Sequence, residues 1–266
     1  MSSLGIKNSV DFKGIPIGYT AYGRPGAPVL LVLPGFLETR SSFDFVAQHW
    51  AKRFRVVTVD LIGHGDSGNL GYVHTMRDFA EAAWTVLRHL HIRVFRVAGH
   101  SLGGYIALEL IALMPHRLRG VLLLNTHPFA DSEERKRNRR RAMALAKQAR
   151  HAYVGAAITA LVDPSHVQQL TAELEKMHSE ARGLTVQGII AAQEGMMQRV
   201  DRRDLLAKRW PFPIVVVAGH RDPIIPLSLT ESYWALPAIT SRCLHSGGHL
   251  SFLEDPKVLI KATSYI

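Results

Sequence analysis

Val94-Phe95-Arg96-Val97-Ala98-Gly99-His100-Ser101-Leu102-Gly103-Gly104-Tyr105 is the stretch from which the rest of the chain can be read. Its first half, rich in β-branched and aromatic residues, predicts a strand ending at Ala98. From Leu102 to Met114 the chain is apolar all round and stops at Pro115, which predicts a helix buried against a sheet. Between the two lies Gly99-His100-Ser101-Leu102-Gly103, too short for anything but a sharp turn. Glycines on either side remove Cβ atoms that would clash, so the serine takes a strained backbone with its hydroxyl exposed at the sheet edge. The Leu102 amide, at a helix N-terminus, points where an oxyanion would form. Ser101 is therefore the candidate nucleophile.

Working outward, extended apolar runs occur at Val29 to Leu33, Arg55 to Asp60, Val121 to Asn125, Ile214 to Gly219 and Thr240 to His245. Runs this apolar predict strands buried on both faces, as in parallel sheets covered by helices. Helical patterns alternate with them; Thr75 and Asp78 form a capping box ahead of Phe79, Ala83, Val86, Leu87 and Leu90 at one-face spacing. An α/β fold follows, with a mostly parallel central sheet and helices on both faces, preceded by a hairpin around Ser9-Val10-Asp11-Phe12-Lys13-Gly14. From about Pro128 to Pro211 the alternation stops, and helical patterns at Gly155 to Val162, His166 to Ser179 and Leu184 to Gln198 follow one another. The expected organisation is a core of residues 1–127 and 212–266, with a helical cap, 128–211, inserted between the sixth and seventh strands.

Composition narrows the class. The chain has 266 residues, 47% hydrophobic and 20% charged, which is globular in kind and long enough to bury roughly three quarters of its unfolded surface. No apolar run approaches the ~18 residues of a membrane span, and the start, Met1-Ser2-Ser3-Leu4-Gly5-Ile6-Lys7, lacks the pattern of a secretory leader, so a cytosolic address is expected. One cysteine, Cys243, excludes an internal disulfide and a multi-cysteine metal site. The formal charge of +10 is unevenly spread: eight Lys or Arg against two Glu lie between Glu133 and Arg150, a local +6. The expected reading is the solvated face of a helix whose apolar side carries Met143 and Leu145; an anionic surface partner, nucleic acid included, is the minor alternative.

A serine at its ordinary pKa is a poor nucleophile, so Ser101 requires a histidine base and a carboxylate to orient it. Of the fourteen histidines, His249 in Ser246-Gly247-Gly248-His249 ends the last strand on the same sheet edge, and Asp222 in Gly219-His220-Arg221-Asp222-Pro223 ends the strand before it. His220 lies on the carboxylate's own loop and His245 inside its strand. Gly63 to Gly68 spells G-x-G-x-x-G, yet no helix opens after it and Glu81 falls inside a capped helix, which disfavours dinucleotide binding. No metal-ligand spacing occurs, and neither cofactor nor metal is expected.

These motifs resemble the α/β-hydrolase family, over nearly the whole chain. Leu33-Pro34-Gly35-Phe36 is similar to the family's oxyanion loop after the third strand, with Pro34 where the family commonly has His; the resemblance implies the Phe36 and Leu102 amides as the oxyanion donors. Asp60-Leu61-Ile62-Gly63-His64-Gly65-Asp66-Ser67 resembles the D-x-x-G-x-G-x-S loop after the fourth strand. The order Ser, Asp, His is also that of the family.

The expected chemistry is acyl transfer through a covalent intermediate, with a small or medium apolar carboxylic ester as substrate and a small molecule as partner. Lactones, thioesters, carbon–carbon cleavage and perhydrolysis remain open on the same triad, as does a ligand receptor with negligible turnover. A serine nucleophile argues against dehalogenases and epoxide hydrolases. His100, Phe129, Ile190, Met196 and Met197 are candidate pocket residues, each equally suited to a core.

Overall fold

The computed structural model describes residues 5–266; the leader reading of Met1 to Leu4 lies outside the described residues. The sheet opens with a hairpin, β1 (Ile6–Phe12) and β2 (Ile15–Tyr22), turned at Lys13 and Gly14, both at positive φ. After it come β3 (Val29–Leu33), α1 (Asp44–Trp50), β4 (Arg55–Val59), α2 (Met76–His89), β5 (Phe95–His100), α3 (Leu102–Leu113) and β6 (Leu118–Leu124). Four helices follow: α4 (Glu133–Thr159), α5 (Thr171–Ala181), α6 (Val186–Gln198) and α7 (Arg203–Leu206). The chain ends with β7 (Ile214–Gly219), α8 (Leu227–Glu231), β8 (Ile239–His245), α9 (Ser251–Glu254) and α10 (Pro256–Ala262).

The eight strands run in the order β1-β2-β4-β3-β5-β6-β7-β8; β1, β2 and β4 pair antiparallel, and every pair from β4 to β8 is parallel. Both faces are covered. Leu31, Leu33, Val57, Val59, Val97 and Val121 pack against α2 and α3, while their neighbours Leu30, Val32, Val56, Ala98 and Leu122 pack with α1 and α10 on the other side. Alternate residues entering two different cores explain why these strands read as unbroken apolar runs. Each fully buried aliphatic side chain contributes about 1.5–3 kcal/mol, so the sheet is held from both faces. At the edge this pattern lapses: β8 is alternately exposed.

Several sequence expectations shift in detail; the helix expected from His166 begins only at Thr171, after a run of turns. The strand before the serine starts at Phe95, because Val94 is exposed, and continues through Gly99 and His100 instead of ending at Ala98. Gly155 to Val162 is not a separate helix up to Val162: Gly155–Thr159 is the last stretch of the 27-residue α4, whose backbone breaks at Ala149 (φ −147°, ψ 65°). Along α4, Met143 and Ala146 are buried, but Leu145 is exposed, so the apolar side is narrower than the spacing implied. All four helices α4 to α7 fall between β6 and β7. No helix among the described residues is long and apolar enough to cross a membrane.

The loop after β4 is a structural knot. Buried Asp60 accepts hydrogen bonds from the main-chain amides of Arg40 (2.7 Å) and Asp66 (2.9 Å) and pairs with the Arg40 guanidinium. Ser67 Oγ accepts from Gly18 N (3.0 Å) and donates to the Asp60 main-chain oxygen (2.9 Å). Gly63 and Gly65 stand at positive φ, and an open loop follows them up to Thr75, with no helix onto which a dinucleotide phosphate could dock. The Thr75 and Asp78 side chains cap α2 reciprocally, as their spacing predicts.

Candidate active site

The parallel register brings the ends of β3, β5, β6, β7 and β8 to one edge: Leu33 lies beside Gly99, His100 beside Leu124, Leu124 beside Val217 and Gly219 beside His245. Each strand then delivers one loop to the same place.

The β5 loop carries Ser101 at φ 50°, ψ −111°, a region that residues other than glycine rarely occupy. The turn is possible because a Cβ on Gly99 would overlap the Gly103 carbonyl, and one on Gly103 would overlap the Leu33 carbonyl. Ser101 N donates to Leu124 O (2.9 Å), and Ser101 O accepts from Thr126 Oγ1 (2.9 Å), so both sides of the strained residue are tied to β6 and its loop.

After β3, Gly35 to Glu38 form a turn closed by Glu38 N donating to Gly35 O (3.3 Å), with Leu37 at φ 67°. Phe36 N finds no acceptor among the described residues, and Leu102 N, first in α3, has none within its helix. Neither amide is taken up by a backbone acceptor of its own segment.

Asp222 and His249 meet at 2.8 Å, Oδ2 to Nδ1, and both side chains are almost wholly buried. The carboxylate is saturated: Oδ1 accepts the Ile224 and Ile225 amides (2.8 Å each), and Oδ2 also accepts Asn125 Nδ2 (3.0 Å). Burial pushes this carboxyl up, but the His249 imidazole and these donors outweigh it, and the net shift is below the ordinary value of 3.8. An ionised Asp222 requires the proton on His249 Nδ1, which leaves Nε2 as the basic nitrogen.

The imidazole is also held from behind. His249 N donates to Leu161 O (3.0 Å), and His249 O accepts from His100 Nε2 (2.8 Å). Glu254 fixes the preceding turn by accepting Gly248 N (2.7 Å) and, through its other oxygen, Leu250 N (3.1 Å).

Ser101, His249 and Phe36 line one cavity of about 240 Å³. Its roof comes from the helical segment, with Tyr153, Ala157, Leu161 and Met196, and its outer wall carries Arg135, Arg139 and Gln193. No hydrogen bond joins Ser101 Oγ to His249 Nε2 among the described contacts, although both residues line the cavity; catalytic hydrogen bonds are often long in free enzymes and tighten only when substrate binds. Of the pocket candidates, Met196 lines the cavity. His100 is fully buried behind it, and Phe129 is turned away, packed against His127 and Tyr233. Ile190 and Met197 lie on α6 off the lining, because one helix presents only part of its circumference to a cavity.

Sequence reading did not single out Glu38 and Tyr105, which line the cavity, Asn125, which donates to Asp222, or Glu254, which holds the turn before His249. A polar residue at the end of an otherwise buried strand, as Asn125 is, was the available signal; Glu38 and Glu254 gave none. Asp163, His166 and Glu254 have ligand atoms within 4.8 Å of one another, an arrangement able to hold a metal. Their oxygens are committed elsewhere: Glu254 accepts His166 Nδ1 and main-chain amides, and Asp163 pairs with Arg221. This cluster anchors the His249 loop.

The chain matches the alpha/beta hydrolase fold family over residues 28–256 and belongs to it. It is similar to the dihydrolipoyllysine-residue acetyltransferase component of the acetoin cleaving system of Pseudomonas putida, 29% identical over 239 residues; the match covers 87% of this chain and 61% of that protein. Among solved structures, a thermophilic esterase from Thermogutta terrifontis superposes with a TM-score of 0.87 at 28% identity, covering 98% of this chain and 97% of the esterase. The enol-lactonase of Burkholderia xenovorans LB400 superposes equally well, TM-score 0.87, over 97% of this chain and 98% of the lactonase; at 19% identity that likeness is one of fold.

Proposed function

We propose that the protein is a serine esterase that cleaves small or medium carboxylic esters through an acyl-enzyme. The observation that carries this is the 2.8 Å bond between Asp222 Oδ2 and His249 Nδ1, with His249 lining the same cavity as strained Ser101. His249 Nε2 takes the proton as Ser101 Oγ attacks the ester carbonyl, and Asp222 stabilises the imidazolium formed. The Phe36 and Leu102 amides receive the oxyanion; one such donor is worth about 3 kcal/mol. Collapse of the tetrahedral intermediate expels the alcohol with the proton from His249. Water, activated by the same imidazole, then releases the acid.

The esterase likeness at 28% identity supports an ester as substrate. The helices of residues 128–211 serve in this reading as a cap, since they roof the cavity with Tyr153, Ala157, Leu161 and Met196 and so set the size of what enters. At about 240 Å³ the space suits a small acyl group. The test is hydrolysis of p-nitrophenyl acetate and butyrate by the wild type and by Ser101→Ala. Turnover lost in a variant with an unchanged circular dichroism spectrum is expected, and undiminished turnover removes the reading. Negligible wild-type turnover across a panel of esters would favour a receptor.

A further inference from the structure

The basic segment is not only a solvated face. Arg137, Arg140 and Arg141 are exposed, as a charged helix face should be. Arg135 and Arg139 are not: they line the cavity that holds Ser101 and His249, and they also line a neighbouring groove of about 560 Å³ between α4 and the loop after β7. Ile224 and Gln193 line both spaces as well, so these four residues stand between cavity and groove.

Charge in this corner is unbalanced. Asp131, its side chain wholly buried, accepts Arg139 Nε (2.5 Å) and lies 2.7 Å from Arg199 Nη1 as an ion pair, so one carboxylate faces two guanidiniums. Arg139 spends a second nitrogen on Gln193 Oε1 (2.8 Å). Arg135 makes no ion pair among the described residues; Nη2 donates to Ile224 O (3.0 Å), and Nε and Nη1 have no protein acceptor. The acids lining the two spaces are Glu134, exposed on the groove, and Glu38, which is engaged with Gly35 N and His100; Asp222, next to Ile224, is paired with His249. Nearby His127 reports the same imbalance: burial, and then the charges of Arg199 and Arg135, push its imidazole down to about 2.

We propose that the substrate carries a carboxylate at the end remote from the scissile bond, and that Arg135 receives it at the mouth of the cavity. Resting on the serine esterase reading, this names the substrate class: esters whose acyl or alcohol part ends in an anion. Arg139, locked to Asp131 and Gln193, supplies fixed positive charge, whereas Arg135 keeps two nitrogens of its planar guanidinium fork, Nε and Nη1, free of any protein acceptor for a carboxylate. Its bond to Ile224 O, two residues beyond Asp222, keeps that fork beside the catalytic edge.

The test compares kcat/KM for matched pairs in two arms. In the first, mono-p-nitrophenyl esters of dicarboxylic acids of four to seven carbons are set against p-nitrophenyl esters of monocarboxylic acids of the same length. In the second, acetoxybenzoate is set against phenyl acetate, which moves the charge to the leaving group. A preference of about tenfold for the anionic member in at least one arm is expected, the effect of one charge-assisted hydrogen bond, and it should fall toward one in Arg135→Gln. The same preference should shrink as salt rises from 10 to 500 mM in the wild type, which decides the matter even if the variant does not fold. Equal or lower rates for the anionic member in both arms overturn the proposal, as does a preference that survives in folded Arg135→Gln. Failure of the esterase reading is distinguishable: it shows as no Ser101-dependent hydrolysis of the neutral esters.

Discussion

His100 Nε2 donates to the main-chain oxygen of His249 across 2.8 Å, so the residue immediately before the strained serine holds the loop of the proposed base. On its other side His100 Nδ1 lies 2.9 Å from Glu38 Oε1, and Glu38 Oε2 accepts Gly35 N at 2.6 Å. Burial alone would pull the His100 imidazole down; the Glu38 carboxylate and the His249 carbonyl reverse this and leave it above the ordinary value. One buried relay thus joins the turn at Gly35, the Ser101 turn and the His249 loop.

His100 is accordingly a positioning residue. His100→Ala should lower kcat about tenfold or more with little change in KM, since it frees two loops without removing a group that touches substrate. His100→Gln, which can still donate to His249 O, should recover part of the loss. Unchanged kcat in a folded His100→Ala would show that the relay does not matter to turnover.

Asp222→Asn keeps the shape but offers an amide where a carboxylate fixed the imidazole tautomer. A fall in kcat on the order of 10⁴-fold is expected, by analogy with the same change in other serine–histidine–aspartate sites. The rate of reaction with a fluorophosphonate should drop in parallel, because both depend on His249 activating Ser101. A loss below tenfold would contradict the role given to Asp222.

Acid stability follows from buried neutral histidines. Burial pushes His64 and His74 from 6.5 down to about 4 each, and His127 to about 2. Between pH 6.5 and 4 the unfolded chain therefore binds protons that the folded chain refuses, so stability is present above 6.5 and is lost as pH falls through this window. For His64, fully buried, the drop corresponds to about 3 kcal/mol. Urea unfolding should shift to a lower midpoint between pH 7 and 4.5, less steeply in His64→Gln. A midpoint constant over that range would contradict it.

Helix capping gives a smaller effect. Thr75 Oγ1 accepts Asp78 N at 3.0 Å at the start of α2. Thr75→Ala should cost about 1 kcal/mol in urea unfolding with an unchanged m-value. No loss would mean the cap bond is replaced by water without consequence.

What could be read from the chain alone divides by the range of the interaction. The Ser101 turn was readable because its strand, glycines and helix are contiguous, and the parallel sheet because both its faces are buried. Asp222 and His249 were readable because each follows a strand directly. Glu38 escaped notice since its partner His100 lies sixty-two positions away, and so did Asn125, ninety-seven positions from Asp222. The break at Ala149 has no proline or glycine at that residue to announce it. The charge run of α4 gave its sum but not its direction: only folding decides that Arg135 and Arg139 face the cavity while Arg140 and Arg141 face water.

The most direct test is to treat the folded protein with a fluorophosphonate and map the modified peptide by mass spectrometry. Labelling at Ser101 alone, abolished in Ser101→Ala and slowed in Asp222→Asn, is the outcome expected of an activated hydroxyl at this turn. Absence of labelling, or modification at another residue with Ser101 untouched, would contradict it.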